Sequence, residues 1–157
     1  MTLHEWLLIF PLLFMCHELE ELAWMPEWFV RLKASPVKLP DKVRQITVSP
    51  RSFTLIVFEE FILVCCVILY SIVVSSFLVA TALILVYGLH IVVHFGQMVY
   101  LRRYVPGSFT GGLTLIGCTL VLKQLLPQVE VGPLVIATVL MTVVVGANLV
   151  ICHKWIR

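Results

Sequence analysis

The feature that most constrains this chain is its apolar stretch from residue 53 to residue 100, which few polar side chains interrupt. As one α-helix it would be about 70 Å long, more than twice the hydrocarbon thickness of a bilayer. We therefore expect two helices with a tight reversal at Ser75 and Ser76. With 61 % hydrophobic residues and a mean hydropathy of +1.04, the 157 residues carry more apolar surface than a soluble domain can bury. The composition predicts a multi-pass membrane protein.

The same patterns predict an all-α helix bundle that forms a single membrane domain over residues 1–157. We expect five transmembrane helices, with a basic connection at residues 27–52 between the first and the second. The expected helices cover residues 3–25, 53–75, 77–101, 109–126 and 134–152. Glycines in the fourth helix include a GxxxG spacing, which favours close helix packing.

The basic residues predict how the bundle is oriented. Every Lys and Arg except Lys123 falls on one side of the bilayer if the N-terminus is outside. Because cytoplasmic loops carry the excess of Lys and Arg, we expect a cytoplasmic C-terminus, a cytoplasmic 27–52 loop and a place in the cell inner membrane. A net charge of +2 is too small to suggest a nucleic-acid partner. The expected partners are the lipid bilayer and a lipophilic small molecule, with homo-oligomerisation left open.

Charged side chains interrupt the first helix at His17-Glu18-Leu19-Glu20-Glu21. A charge at membrane depth costs roughly 2.5–3.5 kcal/mol on insertion scales, so such groups tend to mark a functional interior. Helical spacing predicts that His17, Glu20 and Glu21 point one way, while Glu18 lies about 100° round the helix.

The predicted topology brings polar groups from other helices to the same depth. These are Glu59 and Glu60 early in the second helix, His90 and His94 late in the third, and Asn148 late in the fifth. On the third helix, spacings of three and four residues predict one polar stripe of Tyr87, His90, His94 and Gln97. We infer a single buried polar site in the cytoplasmic half of the bilayer.

Imidazoles and carboxylates together form a nitrogen–oxygen ligand set, which suits one or two divalent ions of zinc, iron or manganese. The expected ligands are His17, Glu20, Glu21, Glu59, His90 and His94. The candidate acids and bases are Glu20, Glu21, Glu59 and Glu60. The candidates for orienting the substrate or a ligand are Asn148, Tyr87 and Gln97. The more polar helix face of Glu59 favours it over Glu60 as the inward carboxylate.

These residues support more than one function. We expect a membrane-embedded enzyme that acts on a lipid-like or isoprenoid-like substrate by metal-assisted hydrolysis or redox chemistry. The same cluster without metal suits an acid/base isomerase or cyclase. Chains of Asp, Glu and His also serve proton- or ion-coupled transporters, and a hydrogen-bonded cluster can simply fix helix packing.

The segment from His17 to Glu21 resembles the signature of the HXXEE family of small integral membrane proteins. That family's pattern continues with a histidine and an asparagine. By position these correspond to His90 or His94 and to Asn148. The family has no assigned activity, so the resemblance implies a site and leaves its reaction open.

Overall fold

A computed structural model describes residues 2–37, 39–41, 44 and 49–155, except for the side chain of His153. Within these residues the protein is all-α, with five long helices and no β-strand. The helices are α1 (Leu3–Lys33), α2 (Pro50–Val74), α3 (Leu78–Leu101), α4 (Ser108–Leu125) and α5 (Val131–Trp155), with a 3-10 turn at Leu126–Gln128. The all-α prediction is confirmed. Three of the basic residues that predict the orientation, Lys38, Lys42 and Arg157, lie outside the described residues.

Helices α2 to α5 are long and apolar enough to cross a membrane. Helix α1 is not among them, because Glu18, Glu20 and Glu21 fall within its apolar part. The outside of the bundle is apolar as well. In α5 only 6 % of the spanning window is buried, although its mean hydropathy is 2.5. An apolar surface this large needs a cover of lipid or protein, which indicates a membrane protein. Five spans, and their orientation, stay predictions.

Helix α1 is longer than its sequence predicts. The expected end lay near residue 25, but the helix continues through Pro26 to Lys33. Proline removes one backbone hydrogen bond. The last turns are supported by burial of Leu32 and by an exposed ion pair between Arg31 and Glu27 at 3.1 Å. At 31 residues, α1 is about 46 Å long and exceeds a bilayer core of about 30 Å.

Three of the described residues have positive φ, and all lie at the reversals of the bundle: Ser75, Arg102, which ends α3 with φ 50°, and Gly107. Ser75 has φ 53° and ends α2, which confirms the predicted turn between α2 and α3. Gly107 has φ 86° and begins α4, a conformation that glycine adopts without steric cost.

Packing places α1 and α3 opposite each other. Helix α1 packs mainly against α2 and α4, while α3 packs mainly against α5 and α4. Large side chains span the space between α1 and α3, such as Phe10 and Tyr87, whose rings meet edge-on at 5.4 Å. A Cβ added to Gly117 in α4 would come within 2.8 Å of the Leu13 side chain in α1. This contact shows the close packing that the glycines predict.

The C-terminal ends of α1, α3 and α5 lie together. The Trp28 indole of α1 donates a hydrogen bond to the Tyr104 carbonyl just after α3, at 2.8 Å. Cys152 in α5 contacts Glu59 near the start of α2. We call this end of the bundle, with Arg31, Lys33, Arg102, Arg103 and Lys154, the basic end.

Candidate metal centre

Four side chains converge between α1 and α3. They are His17 and Glu21 from α1, and His90 and His94 from α3. Each offers one ligand atom, and these four atoms all lie within 4.8 Å of one another. In each helix the two residues are four apart, so they share a face one turn from each other. We call these four residues the His/Glu cluster.

The distances within the His/Glu cluster suit a single ion. The Nε2 atoms of His17 and His90 are 3.3 Å apart, and those of His90 and His94 are 3.0 Å apart. Glu21 Oε1 is 2.8 Å from His94 Nε2 and 3.6 Å from His17 Nε2. In a tetrahedral site with bonds of about 2.0–2.1 Å, ligand atoms are about 3.3 Å apart. Four of the six distances between ligand atoms, at 2.8–3.6 Å, lie near that value, and the other two are within 4.8 Å.

Hydrogen bonds within the protein leave this cluster incompletely satisfied. Among the described residues, Glu21 Oε1 and the Nδ1 atoms of His17 and His94 are buried without a hydrogen-bond partner. The contact of Glu21 with His94 is short enough for an ion pair, yet it lacks the geometry of a hydrogen bond. Buried polar atoms without partners are costly. A cation bound by Glu21 Oε1 and the Nε2 atoms would give this carboxylate oxygen a partner, whereas Nδ1 is the ring nitrogen that such an ion does not contact.

One residue of the His/Glu cluster reaches the surface of the bundle. His17, Glu21 and His94 are buried, whereas His90 is exposed. Structural zinc sites are closed, while catalytic metal sites keep an open position. Of the four residues, only His90 is therefore at the surface of the bundle.

Glycines at the start of α4 allow the backbone to lie directly against this cluster. A Cβ on Gly107 would be 2.6 Å from Glu21 Oε1 and 2.7 Å from His17 Cε1, and one on Gly111 would be 3.5 Å from His17 Nδ1. The sequence predicts only a role in helix packing for these glycines. Their spacing of four residues was the available signal that α4 approaches α1 closely.

A pair of carboxylates lies beside the His/Glu cluster. Glu18 is only 5 % exposed, and it interacts electrostatically with Glu21 and with Glu60 of α2. Glu60 in turn interacts with Glu21. The rotation of about 100° that separates Glu18 from the rest of the motif brings it near α2. Of the two α2 carboxylates, Glu60 is therefore the one that interacts with both Glu18 and Glu21, and the preference for Glu59 as the inward carboxylate stays a prediction.

Glu20, an expected ligand, lies outside the His/Glu cluster. Its carboxylate accepts hydrogen bonds from the Tyr104 hydroxyl, from the Thr110 backbone N–H at 2.7 Å and from the Thr110 hydroxyl at 2.5 Å. Glu20 is about 100° from Glu21 around α1, which turns it toward α4. There it caps an unpaired amide at the helix N-terminus.

Glu59, the other expected ligand outside the cluster, belongs to a second polar group. Its carboxylate accepts hydrogen bonds from the Asn148 amide at 2.9 Å and from the Cys152 thiol at 3.5 Å. These contacts join α2 to α5. The single site expected at this depth is therefore divided into two groups.

The remaining predicted residues differ in their contacts. The Tyr87 ring packs edge-on against His17 with centroids 5.7 Å apart, and its hydroxyl hydrogen-bonds Thr114 at 2.8 Å. Tyr87 thus helps to orient the His17 imidazole. Gln97, at the end of the predicted polar stripe, is exposed.

Replacing Gly107 by alanine tests the role of α4. The added Cβ would displace Glu21 or His17, so we expect Gly107→Ala to weaken metal affinity by about tenfold or more, as measured by competition with a chelating dye. Gly112→Ala is the control, because its Cβ makes only ordinary contact with Phe95 at 3.7 Å. Equal affinity in the two folded variants would contradict this placement of α4.

Substitutions of Glu20 and of Glu21 are expected to change different properties of the protein. Glu20→Gln weakens the cap of α4 and should lower the free energy of unfolding by about 1–3 kcal/mol without lowering metal content. Glu21→Gln should lower metal content instead. Thermal unfolding and elemental analysis of both variants in detergent provide the measurement, and loss of metal in folded Glu20→Gln would contradict the cap assignment.

No curated protein and no solved structure matches this chain at a significant level. Residues 8–122 match the model of a family described as "Protein of unknown function with HXXEE motif". The matched region contains all four residues of the His/Glu cluster, while Asn148 lies beyond it. The match covers more than half of the chain, and the protein therefore belongs to the HXXEE family.

Proposed function

We propose that this protein is a membrane-embedded, metal-dependent enzyme that acts on a lipophilic substrate. The observation that carries the proposal is the convergence of three imidazole nitrogens and one carboxylate oxygen within 4.8 Å. Three of the four residues are buried in a bundle with an apolar exterior. A buried carboxylate without a compensating charge is costly, so a bound cation accounts for the cluster.

The donor set fits zinc, iron or manganese, because imidazole suits all three and no thiolate takes part. His17, Glu21, His90 and His94 would hold the ion. Five- or six-coordinate metals would leave positions open to water or substrate beside four protein ligands. A bound ion would supply Lewis acidity toward a substrate oxygen or a water molecule, and iron or manganese would add redox chemistry.

Residues beside the cluster support proton transfer and access from the lipid. Glu18 and Glu60 form a carboxylate pair next to Glu21, where they would accept or return a proton during the reaction. His90 is exposed among apolar side chains that are also exposed, such as Leu89 at 54 % and Val93 at 55 %. These apolar surroundings of His90 favour a lipophilic substrate that enters laterally from the bilayer.

The proposal includes the membrane topology. We take α1 as a fifth span whose carboxylates are sheltered by α2, α3 and α4. The basic end would face the cytoplasm and put the His/Glu cluster in the cytoplasmic half of an inner membrane.

Acid/base catalysis without metal is the second candidate. The Nε2 separations of 3.0 Å and 3.3 Å are within hydrogen-bond range, so His90 could relay a proton between His94 and His17. The same relay would serve proton-coupled transport. Both alternatives predict a folded, active protein that contains no metal.

Elemental analysis of protein purified without added metal tests the centre. We expect about one ion per chain in the wild type and at least a tenfold loss in His17→Ala and His94→Ala. His4→Ala is the matched control, because His4 contacts Phe77 at the opposite end of the bundle. Wild-type protein that neither retains metal nor binds added zinc, iron(II) or manganese(II) would overturn the proposal.

Conversion of a lipid extract tests the enzyme. Metal-loaded wild type and His94→Ala are incubated with a total membrane lipid extract, and the lipids are compared by mass spectrometry. We expect a lipid species that is consumed only with the wild type. Consumption of that species by metal-free wild type would favour acid/base catalysis, whereas no conversion by metal-loaded protein would contradict enzymatic activity on membrane lipids.

A further inference from the structure

Two adjoining cavities lie beside α1, one against the α3–α4 connection and the other reaching the start of α4, and neither is lined by a residue of the His/Glu cluster. The first has a volume of about 420 Å³ and is lined at the basic end by Trp24, Trp28, Arg31, Arg103 and Tyr104. We call it the basic cavity. The second has about 630 Å³ and is lined mainly by Leu19, Ala23, Trp24, Tyr104 and Phe109, together with Cys16 and the hydrogen-bonded pair of Glu20 and Thr110. We call it the apolar groove. Trp24 and Tyr104 line both, so the two form one continuous surface.

The basic cavity has the chemistry of a site for a phosphate group. Guanidinium groups bind phosphate through paired N–H donors, and tryptophan favours the headgroup level of a membrane. Arg103 forms no ion pair within the described part of the chain. Arg31 pairs with Glu27, but both side chains are more than 70 % exposed, and such pairs contribute about 0–1 kcal/mol. Both guanidinium groups can therefore engage an anion.

The apolar groove continues the basic cavity into the membrane. Along α1, its residues precede those of the basic cavity, so the groove lies farther from the basic end. Between Cys16 and Ala23 it extends about 10 Å along the helix axis. Leu19 is 57 % and Phe109 is 67 % exposed, which leaves the groove open to lipid. This order matches an amphiphile with its charge at the interface and its chain in the bilayer.

Hydrogen bonds hold the wall that both cavities share. The Trp28 indole donates to the Tyr104 carbonyl at 2.8 Å, and the Tyr104 hydroxyl donates to Glu20. Glu20 is held in turn by Thr110 at the start of α4. A wall fixed in this way loses little conformational freedom when a ligand binds.

We propose that the α1–α4 face binds an anionic phospholipid, with its phosphate between Arg31 and Arg103 and one acyl chain in the apolar groove. Zwitterionic phosphatidylcholine binds more weakly, because its choline offsets the charge that the arginines attract. The site is separate from the proposed catalytic function and needs no metal.

Native mass spectrometry of the 157-residue protein tests whether Arg31 and Arg103 select an anionic lipid. The protein is released from micelles that contain equal amounts of dioleoylphosphatidylglycerol and dioleoylphosphatidylcholine. We expect the wild type to retain phosphatidylglycerol preferentially and the Arg31→Gln/Arg103→Gln variant to retain at least tenfold less. The matched control is Arg51→Gln/Lys154→Gln, which removes the same charge elsewhere. Unchanged retention in the first variant, or equal losses in both, would overturn the proposal.

A second pair of variants tests the groove. Ala23→Phe fills the apolar groove while both arginines remain, and we expect it to reduce retained phosphatidylglycerol severalfold. Ala147→Phe on the exposed side of α5 is the control, and equal retention in both variants would contradict acyl-chain binding there. Displacement of the lipid by millimolar inorganic phosphate would instead assign the arginines to free phosphate. Elemental analysis of the same preparations shows whether a change in lipid retention is accompanied by a loss of metal.

Discussion

The meeting of α1 and α3 at four ligand atoms is the contact on which the rest of this structure depends. Each helix contributes two polar residues one turn apart, and both helices also contribute apolar side chains to the hydrophobic core. Placing such groups at membrane depth is unfavourable unless they satisfy one another or share a cation. Helix α4 encloses the meeting point because Gly107 has no side chain to occupy the space of Glu21 and His17. The packing of α1, α3 and α4 therefore brings the four side chains together and buries three of them.

The side chains of the HXXEE motif, all on α1, face three neighbouring helices. His17 and Glu21 face α3, Glu20 caps the N-terminus of α4, and Glu18 at a variable position of the motif approaches Glu60 on α2. One short segment thus sets the ligand geometry and fixes the helices around it. This division explains how a run of carboxylates is accommodated within a bundle that has an apolar exterior. Glu20 therefore has a contact to the start of α4 that is distinct from the contacts of His17 and Glu21 in the His/Glu cluster.

Much of this arrangement follows from local sequence patterns. The apolar run predicts α2, α3 and the turn at Ser75, and the spacing of polar residues brings His17, Glu21 and the two α3 histidines together at one depth. The contacts of Glu20 could not be predicted in the same way. Helical periodicity gives the angle of this residue around α1, but it does not give which helix packs against that side. The choice between Glu59 and Glu60 likewise depends on the rotation of α2, and the continuation of α1 past Pro26 depends on tertiary support. The basic cavity joins Arg31 to Arg103, whose proximity only the packing of α1 against the α3–α4 connection reveals.

The central claim is that three imidazoles and one carboxylate of this chain bind a single metal ion. X-ray absorption at the K-edge of the metal that co-purifies with the protein tests it most directly, because the method reports the ligands around the metal itself. We expect nitrogen and oxygen scatterers at about 2.0–2.2 Å, with the outer-shell features of several imidazoles. Sulfur scattering at about 2.3 Å, or the absence of imidazole features, would contradict it, since none of the cysteines belongs to the His/Glu cluster.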